Sequence, residues 1–190
     1  MQKRINPVWS RRNFVFTVSG MIAGLPLLGQ SGIRESRGQE KILTAELSKA
    51  ERERIKKSVM AEDLQEIFGS HKYSCAESIL MASLHYLNEP EDLVWAAAGF
   101  GGGMGQKDLC GFLTGGIMGI GFAAGKMEAG RKQAKDYAGK AVKKYWTWWE
   151  ENAPLRCRNI RTPESGSGIC LRLGKRAAAE VESLIESRKG

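Results

Sequence analysis

Residues 99–119 read GFGGGMGQKDLCGFLTGGIMG, and this stretch decides the fold that the sequence predicts. Its first part, Gly99–Gly105, predicts a glycine-rich loop, because glycine adopts backbone angles that other residues disfavour. Its second part begins an apolar helix that runs to Ala124, with Asp108 as the expected N-cap. Glycines at 111, 115 and 119 recur at every fourth residue and form a ridge without side chains. We therefore expect a neighbouring helix backbone to approach closely along this ridge and to bring Cys75 near Cys110.

Helical patterns flank this stretch on both sides, and no convincing period-two strand pattern is present. Ser74 and Glu77 carry the sequence signature of a capping box at the start of a helix. The helices expected outside the central one cover residues 41–68, 75–86, 91–98, 131–151 and 175–188. The predicted fold is therefore all-α, a compact bundle of about five to six helices. It includes the glycine-rich loop and an irregular cysteine-containing segment before the last helix.

The N-terminus has the pattern of an export signal. Ser10-Arg11-Arg12-Asn13-Phe14 precedes an apolar stretch that runs to Leu28, and small residues follow near Ser31. The paired arginines resemble the twin-arginine (Tat) consensus S-R-R-x-F-L-K. We expect a signal segment at 1–32, a linker at 33–40 and a single all-α domain at 41–190. The expected location is periplasmic or otherwise extracytoplasmic. The twin-arginine translocation machinery is the expected partner in export, with membrane attachment only if the signal is retained.

Length and charge limit the classes of protein that fit the chain. It has 190 residues, of which 42% are hydrophobic and 26% are charged, as in globular rather than disordered proteins. A formal net charge of +8 would favour a nucleic-acid binder, but Lys3, Arg4, Arg11 and Arg12 belong to the predicted signal. The remaining net charge of +4 is modest. We therefore expect no nucleic-acid partner.

The four cysteines are the expected chemical centre of the protein. Cys75, Cys110, Cys157 and Cys170 are separated by 35, 47 and 13 residues, and no C-x-x-C is present. The spacing excludes a thioredoxin-type motif, the common zinc-knuckle spacings and a C-x-x-C-H haem attachment site, so no covalent haem is expected. Two structural disulfides, with three connectivities, remain an alternative.

The surroundings of the cysteines favour thiolates over such structural bonds. Cys75 follows Ser74 and Cys110 follows Asp108 at expected helix starts, where N–H groups and the helix dipole favour an anion. This placement is expected to lower a thiol pKa. Arginines at 156, 158 and 161 surround Cys157, and another at 172 is near Cys170. These arginines either stabilise thiolates or form a solvated loop with surface ion pairs.

The order of these motifs resembles the C-GCAxxG-C-C family, whose members are described as redox-active proteins. The resemblance lies in SCAESI at 74–79, the glycine-rich stretch at 99–105, CGFLTG at 110–115 and the two late cysteines. It covers roughly residues 56–186. Phe112 departs from the family pattern, which has alanine there, and this puts the helix packing beside Cys110 in question. The resemblance implies a redox role for the four cysteines.

Two mechanisms and one non-redox alternative remain open for an exported protein of this kind. The cysteines bind an iron–sulfur cluster or a metal ion for electron transfer, or they work as thiol–disulfide pairs. Export of a folded protein favours the bound cofactor, and either mechanism implies a redox partner protein. The alternative is a non-catalytic, disulfide-stapled helical subunit or partner of an exported redox enzyme. The sequence does not decide whether the protein is an enzyme.

Other residues are weaker candidates for the same site. Gly101, Gly102, Gly103 and Gly111 either contact a cofactor through the backbone or allow close packing. His71, four residues before Cys75, is a weak candidate metal ligand. Trp148 lies off the apolar face of its helix, which favours either a subunit contact, as in a homo-oligomer, or a contact with a membrane surface.

Overall fold

The computed structural model describes residues 46–127, 130–163, 165 and 168–189. The predicted signal at 1–32 and linker at 33–40 lie outside these residues. The described part of the chain is helical and has one isolated antiparallel β-bridge, Leu109 with Arg156, so the all-α prediction is confirmed. None of its helices is long and apolar enough to span a membrane.

Seven α-helices form within the described residues. They are α1 (Lys49–Lys57), α2 (Val59–Gly69), α3 (Cys75–Leu87), α4 (Gly111–Gly125), α5 (Arg131–Asn152), α6 (Cys157–Ile160) and α7 (Ile169–Glu186). A 3-10 segment (Glu91–Phe100), a π-helical turn (Gly103–Lys107) and a final 3-10 turn (Ser187–Lys189) complete the order. The expected count of five to six helices was therefore too low.

The first difference from the expected helices is a break at Ser58, which divides the single helix expected over 41–68 into two. Ser58 has an extended backbone (φ −77°, ψ 119°), and its hydroxyl oxygen accepts a hydrogen bond from the Ala61 N–H at 3.0 Å. The Glu182 carboxylate of α7 accepts bonds from the Ser58 hydroxyl (2.6 Å) and the Met60 N–H (2.7 Å). These bonds satisfy donors at the start of α2 and join it to α7.

The second difference concerns the end of the chain. The last helix begins at Ile169 rather than near residue 175, so Cys170 lies in its first turn and not in the irregular segment before it. Cys157 does lie in that segment, where it begins the one-turn helix α6. The segment between α5 and α7 is therefore partly helical.

The central pair of helices, α3 and α4, packs along the glycine ridge as expected. A β-carbon on Gly115 would overlap the Ala76 carbonyl oxygen, and one on Gly119 would overlap the Ser83 hydroxyl. The two backbones are thus closer than any side chain would allow. This contact fixes the start of α4 against the start of α3, where two of the cysteines lie.

The aromatic residues of α5 pack against this pair from the other side. Tyr145 and Trp149 are fully buried, and Tyr145 contacts Gly116 of α4 closely. The Trp148 ring stacks on the Tyr145 ring with centroids 5.9 Å apart. The Arg176 guanidinium lies over the Trp148 ring. Much of Trp148 is therefore used within the chain itself. A homo-oligomer remains a prediction.

Candidate functional site

All four cysteines lie at the N-terminal ends of helices. Cys75 is the first residue of α3 and Cys157 the first of α6, while Cys110 is the N-cap of α4 and Cys170 lies in the first turn of α7. The sequence predicted this position for two of the four. Each sulfur therefore lies near backbone N–H groups that lack a partner within their helix.

The start of α3 has the expected capping box. The Ser74 N–H donates to the Glu77 carboxylate at 2.9 Å, and the Glu77 N–H donates to the Ser74 hydroxyl at 3.4 Å. Gly101 lies against this cap, and a β-carbon there would overlap the Ser74 side chain. The cap fixes the backbone from which Cys75 projects.

Cys75 and the start of α4 are in direct contact. A β-carbon on Gly111 would overlap the Cys75 sulfur and would lie 2.9 Å from the Ala76 nitrogen and 3.1 Å from the Phe100 carbonyl oxygen. Gly111 directly follows Cys110, so this contact brings Cys75 close to Cys110, as the glycine ridge predicted. The Cys75 sulfur occupies the space that a side chain at residue 111 would need.

A short antiparallel pairing brings Cys110 and Cys157 together. The Cys110 N–H donates to the Leu155 carbonyl at 2.9 Å, and the Cys157 N–H donates to the Asp108 carbonyl at 2.6 Å. In this pattern the two cysteines occupy diagonal positions on one face, which in antiparallel pairs are about 7–8 Å apart. No local pattern in the sequence indicates this pairing, because it joins residues far apart in the chain through a single bridge within the described residues.

The charge of one sulfur acts on the other three. Ionised Cys75 raises the pKa of Cys110, of Cys157 and of Cys170 by electrostatic repulsion, although burial is the larger cause at each. Cys157 further raises the pKa of Cys110 and of Cys170. The Cys75 sulfur is therefore close enough to act electrostatically on the other three.

Burial outweighs the groups that stabilise thiolates. The N–H groups of Phe112 and Leu113 lower the pKa of Cys110, and Arg161 lowers that of Cys157 and of Cys170, as expected from the sequence. The net pKa is nevertheless raised at all three, to about 11 for Cys170, because burial penalises the charged form more strongly. The expectation of a lowered thiol pKa at Cys110 was therefore wrong.

The four thiols differ in their access to solvent. Cys110 is 5% exposed and Cys157 is 7% exposed, whereas Cys75 and Cys170 are half-buried. All four are unpaired thiols in the structure. Across the described residues, no three His, Cys, Asp or Glu side chains are arranged to hold a metal ion. The sulfurs converge without forming a ready cage for one ion.

The glycine-rich stretch forms a wide turn beside the cysteines. The Asp108 N–H donates to the Gly103 carbonyl at 3.1 Å, and φ is positive at Gly102, Gly103 and Gly105. A β-carbon on Gly103 would overlap the Asp108 backbone. Met104 also has a positive φ, of 56°. Close packing thus accounts for the glycines at 101, 103 and 111. Gly102 has open space around it, and its contact with a cofactor stays a prediction.

Two other sequence expectations have structural outcomes, and a third, for His71, stays untested. Asp108 does not cap α4, because Cys110 occupies the N-cap position itself. Phe112 is buried, packs edge-on against Phe68 with centroids 5.2 Å apart and fits beside Gly174, so the bulky side chain is accommodated. His71 is exposed in the turn before α3, and its role as a metal ligand stays a prediction.

One buried residue beside the site was not singled out from the sequence. The Tyr145 hydroxyl donates to the Phe112 carbonyl at 3.0 Å at the start of α4. Burial and the nearby Cys110 thiolate raise the pKa of Tyr145 well above its ordinary value. The spacing of Tyr145 and Trp149 is typical of the core-facing side of a helix, but no local pattern connects Tyr145 to Cys110.

The comparisons with known proteins agree with this geometry. A family model described as "Putative redox-active protein (C_GCAxxG_C_C)" matches residues 73–184, a range that contains all four cysteines. Searches of curated proteins and of solved structures gave no match. Because the matched range covers more than half of the chain, the protein belongs to the C_GCAxxG_C_C family of redox-active proteins.

Proposed function

We propose that the four cysteines act together as one redox centre and hold an iron–sulfur cluster in an exported electron-transfer protein. The observation that carries this proposal is the convergence of the cysteines. The Cys75 sulfur lies against Gly111, the residue after Cys110, and an antiparallel pairing places Cys157 beside Cys110. The charge of Cys75 also raises the pKa of the other three thiols, so four thiolates here would repel one another. A bound iron–sulfur cluster would supply positive charge that relieves this repulsion.

The donor set fits such a group in kind. Iron–sulfur clusters are held by cysteine thiolates and pass single electrons. A cluster spans more space than a single ion, so it does not need the compact group of three side chains that the described residues lack. The chain contributes the helix starts at Cys75, Cys110 and Cys170, whose N–H groups favour negative charge, Arg161 near Cys157 and Cys170, and the burial of Cys110 and Cys157.

Thiol–disulfide exchange is the less favoured mechanism. It begins with attack by a thiolate, and buried thiols with raised pKa values supply few thiolates near neutral pH. Cys110 and Cys157 are both of this kind. A disulfide between them would also require Cα atoms about 4.4–6.8 Å apart, shorter than the usual diagonal separation in an antiparallel pair. The same distance argument applies to a Cys110–Cys157 disulfide in a stapled, non-redox subunit.

The test is the composition of protein purified without oxygen. We expect iron and acid-labile sulfide in comparable amounts, visible absorption that bleaches on reduction, and no free thiols until the cluster is removed. Protein without iron and sulfide, with four thiols that dithiol reagents interconvert with disulfides, would overturn the cluster and support exchange. Thiols that are oxidised in pairs and resist reduction would support the structural alternative.

The export part of the proposal rests on the sequence at the N-terminus. Ser10, Arg11, Arg12 and Phe14 match the twin-arginine consensus, and an apolar stretch follows. Cell fractionation of the full chain tests it, with Arg11→Lys/Arg12→Lys as the variant. We expect the wild type in the extracytoplasmic fraction and the variant in the cytoplasm. Equal export of both chains would exclude the twin-arginine route.

A further inference from the structure

The surface over the cysteine centre is cationic. Four exposed basic residues lie on the glycine-rich turn or on α6 and its two caps: Lys107, Arg156, Arg158 and Arg161. The antiparallel pairing between residues 108–110 and 155–157 holds these two segments together. Arg156 forms an ion pair with Asp108 at 3.4 Å, in which both side chains remain about half exposed. We call these four residues the cationic face.

The cationic face lies close to the sulfurs. Arg156 and Arg158 flank Cys157 in the chain, and the Cys157 N–H donates to the carbonyl of Asp108, the residue after Lys107. The Arg161 N–H donates to the Cys157 carbonyl at 2.8 Å. The four charged residues therefore lie beside Cys157, whose own side chain is covered. The cationic face is therefore the exposed surface that lies beside the cysteine centre.

An exposed apolar side chain accompanies these charges. Met104 is 39% exposed and lies three residues before Lys107 on the same turn. Its backbone is in the left-handed region (φ 56°, ψ 35°), which is uncommon for a residue other than glycine. A methionine on a surface with a charged rim suits a small, adaptable protein contact.

We propose that the cationic face and Met104 form the docking surface for an acidic electron-carrier protein. This inference rests on the proposed redox function and adds the site and charge of the partner. Transient electron-transfer complexes use small contacts, and opposite charges raise their association rate. In the complex one electron leaves the reduced centre of the donor and enters the oxidised centre of the acceptor, with no bond made or broken.

Binding is tested first, because it does not require electron transfer. An acidic ferredoxin is titrated into the full protein by calorimetry at two salt concentrations. Charges are screened beyond about 30 Å at about 0.01 M salt, and beyond about 3 Å at about 1 M salt. The variant is Arg156→Gln/Arg158→Glu. The matched control, Lys132→Gln/Lys143→Glu, makes the same change in net charge on the exposed side of α5. We expect binding at low salt that only the first variant weakens, by about tenfold or more.

Electron transfer is tested next with two small one-electron oxidants of opposite charge. Stopped-flow oxidation of the reduced protein uses anionic cobalt(III)–EDTA and cationic hexaamminecobalt(III). We expect the anionic complex to react faster, its rate to fall with salt, and the Arg156→Gln/Arg158→Glu variant to lose most of that advantage. Iron content and absorption spectra of both variants should match the wild type.

The outcomes separate the docking surface from the redox function. A redox-active protein that the two complexes oxidise with the same salt dependence, and that does not bind ferredoxin, would overturn the docking surface alone. Equal weakening of binding by both variants would also overturn it, since net charge would then be the cause. A protein that neither complex oxidises contradicts the redox function, and the docking surface for an electron carrier falls with it.

Discussion

Replacing Gly115 with alanine tests whether the glycine ridge sets the distance between α3 and α4. A β-carbon there would overlap the Ala76 carbonyl oxygen and lie 3.1 Å from its carbon. These are backbone atoms of a helix, so they cannot rotate away as a side chain would. The two helices must therefore move apart or distort.

The magnitude follows from a matched pair of variants in α4. Gly121 lies in the same helix with open space around its α-carbon, so Gly121→Ala is the control. Alanine gains about 1 kcal/mol of helix propensity over glycine at either position. Overpacking a buried contact costs about 1–3 kcal/mol and applies to Gly115→Ala alone. The difference between the two variants, from which propensity cancels, is thus about 1–3 kcal/mol.

Urea unfolding followed by circular dichroism measures this difference. We expect Gly121→Ala to unfold at a higher urea concentration than the wild type, and Gly115→Ala to unfold at a clearly lower one than Gly121→Ala. Each kcal/mol corresponds to about 2–4 °C in the melting temperature of a domain of this size. If the two variants unfolded together, the close contact between α3 and α4 would not constrain the fold.

Three further predictions concern buried polar groups and thiols. Glu182→Ala should destabilise the protein by about 1–3 kcal/mol in urea unfolding, because it leaves two donors at the start of α2 without their acceptor, whereas Glu53→Ala on the exposed side of α1 should change little. Tyr145→Phe should cost about 0.5–1.5 kcal/mol by losing the hydrogen bond to the Phe112 carbonyl, and an unchanged unfolding midpoint would contradict the contact. The pKa of Cys170 is raised from 9.0 to about 11 in the folded chain, so the reduced, metal-free protein should lose stability as pH rises through this window. Thermal unfolding against pH measures that loss; Cys170→Ser should remove part of it, and an identical pH dependence in the variant would refute the assignment.

Local patterns in the sequence predicted much of the fold. The capping box at Ser74 and Glu77, the glycine ridge of α4 and the long helix ending near Pro154 depend on residues a few positions apart, and all are present. The break at Ser58 was missed because its cause lies in Glu182, far along the chain. The early start of α7 was missed because the glycine- and serine-rich residues before it predicted a longer loop.

The site was predicted in its residues but not in its electrostatics. The four cysteines and Gly111 were identified from their motifs, and the contact between Gly111 and Cys75 accounts for one of those motifs. The direction of the pKa shift at Cys110 was wrong because it depends on burial, which arises from the packing of distant segments. The pairing that brings Cys157 beside Cys110 has the same origin, since it joins two segments that are 47 residues apart along the chain.

The iron content of four single variants tests the central claim most directly. Cys75→Ser, Cys110→Ser, Cys157→Ser and Cys170→Ser would be purified without oxygen beside the wild type, with circular dichroism to verify folding. If the four sulfurs hold one cluster, each substitution removes most of the iron, the labile sulfide and the visible absorption. A folded variant that keeps the wild-type iron content would show that its cysteine is not part of a shared centre.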